Sequence, residues 1–298
     1  MSGACFGFRP VSDLPFAYLR EGPGDPLEVR EHAGNGGDPG GSLVAEWTAV
    51  PGRRSWARLY ADGPRFRLWV ENGGTFEIDP RAPSVAVPAG LETPVRREER
   101  LWGIPALLCF LERGDLPLHA AAVEVDGEAV LLAAPGYAGK TTLAAAFEAA
   151  GHRVLSEDVS CVRLSPGPAV VPGPAMLRVR RDMAGRVPLP GARELAVGDD
   201  RVHFALDPSR RGDCSPLPLR ALVFLRRGEG AMTLAPVTAA EALPDLWALA
   251  FRLPTAEDRA RCFDSIAALA DRIRVWNLER ELTLDGLGDV IAMIRSDA

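Results

Sequence analysis

The residues best suited to chemistry form a run from Ala134 to Thr141, with the sequence Ala-Pro-Gly-Tyr-Ala-Gly-Lys-Thr. This run fits the relaxed Walker A pattern [AG]-x-x-x-x-G-K-[ST], with an apolar strand pattern before it and an Ala-rich helix pattern after it. Glycines let the backbone curl so that successive N–H groups point at phosphate oxygens, and the helix N-terminus adds positive charge. The predicted nucleotide contacts are Pro135, Gly136, Tyr137, Ala138, Gly139, Lys140, Thr141 and Thr142.

One residue type is concentrated at this loop. The chain has 34 Lys and Arg residues, and reading along the sequence shows that Lys140 is the only lysine among them. A lysine is a compact point charge and an arginine a planar fork, so the two differ at a phosphate site. The retention of lysine here favours a nucleotide site over a Gly-rich turn. Lys140 is expected to reach the β- and γ-phosphates of ATP, and Thr141 to offer its hydroxyl to Mg²⁺.

A second group of reactive residues follows the loop. Glu157 and Asp158 come directly after a short apolar strand pattern, and Glu157 lies seventeen residues after Lys140. Enzymes with such a loop need a carboxylate on a neighbouring strand to hold Mg²⁺. A second carboxylate there can accept a proton from an attacking hydroxyl. His119 lies in an apolar strand pattern, and on its own it fits a core histidine as well as a functional one.

The stretch from residue 118 to 164 resembles the catalytic domain of the HPr kinase/phosphorylase family. His119 precedes the loop lysine by 21 residues, as in that family, and the run Gly-His-Arg-Val-Leu-Ser-Glu-Asp at residues 151–158 fills the family pattern without gaps. The resemblance implies that His119 lies beside the acidic site, that Glu157 is the catalytic base, and that Asp158 binds the metal with Thr141. The family carries Asp where this chain has Glu157.

The resemblance also implies an activity. It is that of an ATP-dependent, Mg²⁺-dependent serine kinase, with a peptide or protein as acceptor. Some similar kinases phosphorylate serine on ribosomally made peptide precursors, which makes such a peptide the preferred acceptor class. Two alternatives stay open from the residues alone: a nucleotide-binding regulatory module with little phosphoryl transfer, and a small-molecule kinase.

Periodicity predicts an α/β chain with two domains. Residues 1–112 are expected to form a smaller β-rich domain, with an antiparallel meander over residues 43–50, 56–61, 66–70 and 75–78 and a helix over 94–112 that Gly103 and Pro105 can break. Residues 113–298 are expected to form the catalytic domain. Its predicted strands cover 118–125, 129–133, 154–155 and 159–164, and its first helix covers 140–150.

The C-terminal third is less regular in sequence. Residues 165–219 are rich in Pro, Gly and Arg and give no clear pattern. After them we expect a strand pair at 221–225 and 232–235, helices from Thr238 to about 252 and from Thr255 to about 273, a strand at 275–278, and a final helix over about 285–294. Thr238 with Glu241 forms a capping-box pattern.

Composition narrows the partners. The net charge of −6 and the lack of a long basic run argue against nucleic acid. No run of about eighteen apolar residues predicts a membrane span. Five scattered cysteines without metal-ligand spacing fit reduced thiols in the cytoplasm. The sequence leaves a homo-oligomer open.

Two further residue groups have both a functional and a packing interpretation. The aromatic residues of the N-terminal region fit a peptide-binding face or cross-strand packing: Trp47, Trp56, Phe66 and Trp69. Four arginines fit a phosphate or peptide clamp or a solvated loop: Arg178, Arg180, Arg181 and Arg186. Residues 1–112 contain no phosphate-binding motif, so we expect them either to recognise the acceptor or to cap the kinase core.

Overall fold

The computed structural model describes residues 3–33, 40–48, 55–90, 93–134, 138–198 and 200–298. The chain is a mixed α/β protein, and its N-terminal part is built mainly from strands. The fold class predicted from the sequence is confirmed. No helix in these ranges combines the length and the apolar character that a membrane crossing requires.

The N-terminal part consists of a seven-stranded sheet with two helices packed on it, and a separate two-stranded sheet of Gly3–Ala4 and Arg20–Glu21. Its elements are β1 Gly3–Ala4, β2 Phe8–Val11, β3 Arg20–Glu21, β4 Asp25–His32, β5 Ser42–Thr48, β6 Ser55–Asp62, β7 Arg65–Val70, β8 Gly74–Asp79, β9 Ser84–Pro88, α1 Pro94–Leu101 and α2 Ile104–Arg113. The sheet order is β2-β4-β9-β8-β7-β6-β5. Strands β5 to β8 pair in sequence as an antiparallel meander, as predicted. Residues 49 and 50, predicted to end the first meander strand, lie outside the described residues.

The helix predicted over residues 94–112 is two helices. Thr93 caps α1 by accepting a hydrogen bond from the Arg96 N–H, and Pro94 takes the first helical position, where it loses no hydrogen bond. The helical conformation is interrupted at Gly103, which is the N-cap of α2. Helix α2 ends at Gly114, whose φ of 84° is left-handed. The buried side chains of α2 pack on the inner face of the N-terminal sheet in one apolar core.

The central elements flank the loop run at residues 134–141 and carry the acid pair, which is Glu157 and Asp158. They are β10 Leu116–Leu118, β11 Ala120–Val125, β12 Glu128–Ala133, α3 Lys140–Ala149, β13 Val154–Ser156 and β14 Ser160–Arg163. Strand β12 is apolar and almost fully buried, as a central strand requires. Asp126 and Gly127 have φ of 51° and 86°, which is the turn that an Asp-Gly hairpin favours. The single strand predicted over 118–125 is wrong, since it breaks at His119.

The remaining elements complete the larger sheet. They are β15 Ala169–Val171, β16 Met176–Arg180, β17 Arg193–Val197, β18 Arg201–Ala205, a short 3₁₀ helix Pro208–Arg210, β19 Leu217–Arg227, β20 Thr233–Val237, α4 Ala239–Leu249, α5 Ala256–Ala270, β21 Arg274–Arg280 and α6 Leu287–Asp297. The prediction that the strands at 221–225 and 232–235 pair with each other is wrong. Both strands exist, but β21 lies between them, parallel to β19 and antiparallel to β20.

The two parts of the chain share a core. Phe6 and Phe110 from the N-terminal part lie in the same buried cluster as Cys161 and Val171 from the second part. The predicted domain boundary at 112/113 falls at the end of α2 and stays a prediction.

A buried arginine joins the N-terminal part to the strand that carries the acid pair. Arg20 donates hydrogen bonds to the carbonyl oxygens of Val154 (2.7 Å), Leu155 (3.1 Å) and Gly173 (2.8 Å), and also to that of Arg211. Burial lowers the pKa of Arg20 to about 10. Val154 and Leu155 belong to β13, the strand that ends just before Glu157. Arg20 therefore helps to fix the position of the acid pair.

We expect Arg20→Met to lower the free energy of unfolding by more than about 2 kcal/mol, because buried carbonyl groups left unpaired cost about 1–3 kcal/mol each. Urea unfolding followed by circular dichroism measures this. Arg81→Met is the matched control, since the Arg81 side chain is 70% exposed and surface changes stay within about 0.5 kcal/mol. Equal midpoints for the two variants would contradict the structural role of Arg20.

Candidate active site

Lys140 is the first residue of α3 and is buried. Gly139 precedes it with φ of 86°, a left-handed conformation that glycine adopts without strain. The Lys140 Nζ donates to the carbonyl oxygen of Ala134 at 2.7 Å and to the His119 Nε2 at 3.0 Å. Burial lowers the pKa of Lys140. Pro135, Gly136 and Tyr137, predicted to contact the nucleotide, lie outside the described residues.

His119 occupies the break between β10 and β11. Its backbone N–H donates to the carbonyl oxygen of Leu249 at 2.8 Å, which places the imidazole beside Lys140 rather than in the core. Burial lowers the pKa of His119, and although the Asp158 charge raises it, the pKa stays below its usual value. A neutral ring whose Nε2 accepts from Lys140 carries its proton on Nδ1, and this nitrogen faces the Asp158 Oδ1 at 3.4 Å.

The acid pair lies in the turn between β13 and β14. Two buried hydroxyls hold this turn: the Ser156 Oγ and Ser160 Oγ are 2.7 Å apart, and Ser160 donates to the carbonyl oxygen of Ala120 at 2.9 Å. The two acids differ in environment. The Glu157 side chain is 2% exposed, whereas the Asp158 side chain is 44% exposed.

The carboxylates are joined to the loop helix and to an arginine. The Thr141 Oγ1 donates to the Glu157 Oε1 at 2.9 Å. Arg178 on β16 donates from Nε to the Glu157 Oε2 at 2.8 Å and from Nη2 to the Asp158 Oδ2 at 3.2 Å. The Glu157 carboxylate, and then that of Asp158, raise the pKa of Arg178. For Asp158, burial raises the pKa, but the nearby positive charges, that of Arg178 first, outweigh it and the pKa is lowered.

The structure therefore brings five predicted residues together, with Arg178 joining Asp158 to Glu157: Lys140, His119, Asp158, Glu157 and Thr141. Among the four candidate arginines, Arg178 contacts both carboxylates. Arg180 pairs with Asp182, and Arg181 and Arg186 are exposed. Successive side chains of a strand point to opposite faces, so the face of each arginine can be assigned only where a strand is recognised. Because the sequence of β16 has no clear strand pattern, Arg178 could not be distinguished from its neighbours.

Glu99 on helix α1 adds a further negative charge near Arg178. The local sequence does not identify Glu99 as a functional residue. Glu99 accepts a hydrogen bond from the Tyr18 hydroxyl at 2.8 Å and contacts the His203 Nδ1 at 2.7 Å. Burial raises the pKa of Glu99, but the contacts with His203 and Tyr18 outweigh it and the pKa is lowered. The charge of Glu99 adds to the stabilisation of the Arg178 cation.

The donor atoms at this site suit a magnesium–nucleotide complex. Mg²⁺ prefers oxygen ligands and is usually bound through one or two carboxylates together with substrate phosphates. The Thr141 hydroxyl and the Glu157 carboxylate lie within 2.9 Å of each other at the start of α3. Within the described ranges, no group of three or more His, Cys, Asp or Glu residues is arranged to hold a metal.

No protein-family model matches the chain, and no curated protein sequence matches it. Among solved structures, the chain is similar to the HPr(Ser) kinase/phosphatase from Coxiella burnetii, with 10% sequence identity and a TM-score of 0.34. The match covers 60% of this chain and 93% of that one. It is a distant likeness of fold over part of the chain, too weak to bear on function.

Proposed function

We propose that this chain is an ATP-dependent kinase that transfers the γ-phosphoryl group to a serine hydroxyl of a peptide or protein. The supporting observation is the direct chain of contacts from the loop lysine through His119 to Asp158, beside Thr141 and Glu157. A site that only bound nucleotide would need the loop and a metal ligand. This one also holds a second, half-exposed carboxylate.

The chain's own residues would divide the work of binding. Lys140 and the backbone N–H groups of the loop would hold the phosphates, and Thr141 would hold Mg²⁺. Bound Mg²⁺–ATP supplies the phosphoryl group, and the metal neutralises charge on its oxygens. Such catalysis is mostly positioning and charge stabilisation.

The contacts favour a change in the roles predicted for the two acids. Thr141 bonds to Glu157, not to Asp158, and the Glu157 carboxylate is buried between Thr141 and Arg178. We therefore assign Glu157 with Thr141 to the metal. Asp158 is more open to an acceptor and contacts His119, so we assign it to accept the proton of the serine hydroxyl.

The proposal is tested by incubating the full chain with Mg²⁺ and γ-labelled ATP. The acceptors are a library of serine peptides and, separately, small hydroxyl compounds. We expect phosphoserine on peptides, identified by mass spectrometry. ATP binding without any transfer would favour the regulatory module instead, and transfer to small compounds alone would favour the small-molecule kinase.

A further inference from the structure

A cavity of about 300 Å³ lies between the N-terminal sheet, the helices α1 and α2, and the acid pair. Its apolar wall comes from the N-terminal part: Trp56, Leu68, Val70, Trp102, Ile104 and Leu107. A cavity of this size is at the lower end of the range for ligand pockets, so it suits one large side chain or a small ligand body.

The same cavity reaches the reacting groups. Glu157, Asp158 and Arg178 form part of its lining, and Val159 and Met176 lie beside them. An apolar group held against the wall therefore lies next to the carboxylate assigned to accept the proton. Lys140 and Thr141, at the start of α3, are not among the described residues that line this cavity.

We propose that this cavity binds a large apolar side chain, aromatic or aliphatic, that flanks the acceptor serine of an extended peptide. The inference rests on the proposed function and names the acceptor's chemistry. Burial of such a side chain stabilises the complex through the hydrophobic effect, and the polar end of the cavity leaves the serine hydroxyl facing Asp158.

The neighbouring sheet edge favours a peptide over a free small molecule. In the ranges that the structure describes, β5 pairs with β6 alone and is the last strand of the sheet. Trp47 on β5 contacts Trp56 of the cavity wall, with ring centroids 6.5 Å apart. An extended peptide can add to such an edge through main-chain hydrogen bonds while a pocket binds one of its side chains.

The experiment uses the full chain and nine-residue peptides with a central serine, in which Phe, Leu or Ala stands at each flanking position. Peptide binding is measured by fluorescence anisotropy with Mg²⁺ and a non-hydrolysable ATP analogue, and transfer is measured separately with γ-labelled ATP. We expect peptides with Phe or Leu at one flanking position to bind at least about tenfold more tightly than the Ala peptide, because burying such a side chain is favourable.

Variants connect this preference to the cavity. Trp56→Ala removes part of the wall, and we expect it to reduce the preference to about twofold or less. Trp56 is 40% exposed, so the fold does not depend on it. Phe263→Ala is the matched control, since it removes an aromatic side chain that is 50% exposed on α5. Ile104→Trp fills the cavity from the other side and should abolish the preference.

The outcomes separate this inference from the proposed function. Equal binding and equal transfer for all peptides would overturn the cavity assignment while leaving the kinase. A preference in binding without any transfer would support the cavity and contradict the kinase. Transfer to 2-phenylethanol but to no peptide would overturn the peptide acceptor, and absence of both binding and transfer would overturn both proposals. A preference unchanged in Trp56→Ala and Ile104→Trp would place the side chain elsewhere.

Discussion

Asp158→Asn is expected to lower the rate of phosphoryl transfer by about 10²–10⁴-fold while leaving the affinity for Mg²⁺–ATP within about twofold. The amide keeps the shape of the carboxylate but cannot accept the proton of the serine hydroxyl. The side chain is 44% exposed and touches His119 and Arg178, so the substitution leaves the buried contacts of Glu157 in place. Single-turnover transfer and nucleotide titration measure the two quantities separately.

Glu157→Gln is the matched variant, because it makes the same chemical change at the neighbouring carboxylate. We expect it to raise the Mg²⁺ concentration needed for half-maximal transfer by at least about tenfold, and saturating Mg²⁺ to restore part of the rate. The reverse pattern, with transfer lost in Glu157→Gln at any Mg²⁺ concentration and retained in Asp158→Asn, would contradict this assignment. It would support the roles that the resemblance to the HPr kinase/phosphorylase family implies.

Lys140→Arg is expected to weaken Mg²⁺–ATP binding by about 10²-fold or more, although it keeps the charge. The Lys140 Nζ lies between the Ala134 carbonyl oxygen and the His119 ring in a buried position, and a planar guanidinium does not fit a site shaped for a point charge. Isothermal titration of the two proteins measures the loss. A thermal melt within a few degrees of the original chain shows that the fold is intact, and equal affinity for ATP would count against the phosphate role of Lys140.

Short-range signals in the sequence predicted much of the fold. The Thr238–Glu241 capping box is present at the start of α4, and the Asp126-Gly127 turn joins two antiparallel strands. Each of these features depends on a few consecutive residues, so its chemistry can be recognised without the rest of the chain. The helix that follows Gly139 belongs to the same class.

Features set by distant contacts could not be predicted. The order of β19, β21 and β20 depends on pairing between residues 38 to 53 positions apart, as between Val237 and Val275 or Ala221 and Arg274. Strand β4 could not be recognised because most of its exposed positions are charged and its apolar positions are few. Arg178 and Glu99 reach the site from a strand and a helix whose local sequence carries no functional pattern.

A nucleoside triphosphate is expected to bind with its phosphates at Lys140. An acyl phosphate derivative of ATP acylates amines that lie close to the bound phosphates. Because the chain has one lysine, peptide mass spectrometry measures acylation of Lys140 directly. We expect acylation of Lys140 within the site, suppressed by excess Mg²⁺–ATP, while the slow acylation of the amino terminus is unaffected by ATP. Acylation of Lys140 at the same rate with and without Mg²⁺–ATP, or no faster than that of the amino terminus, would contradict the claim.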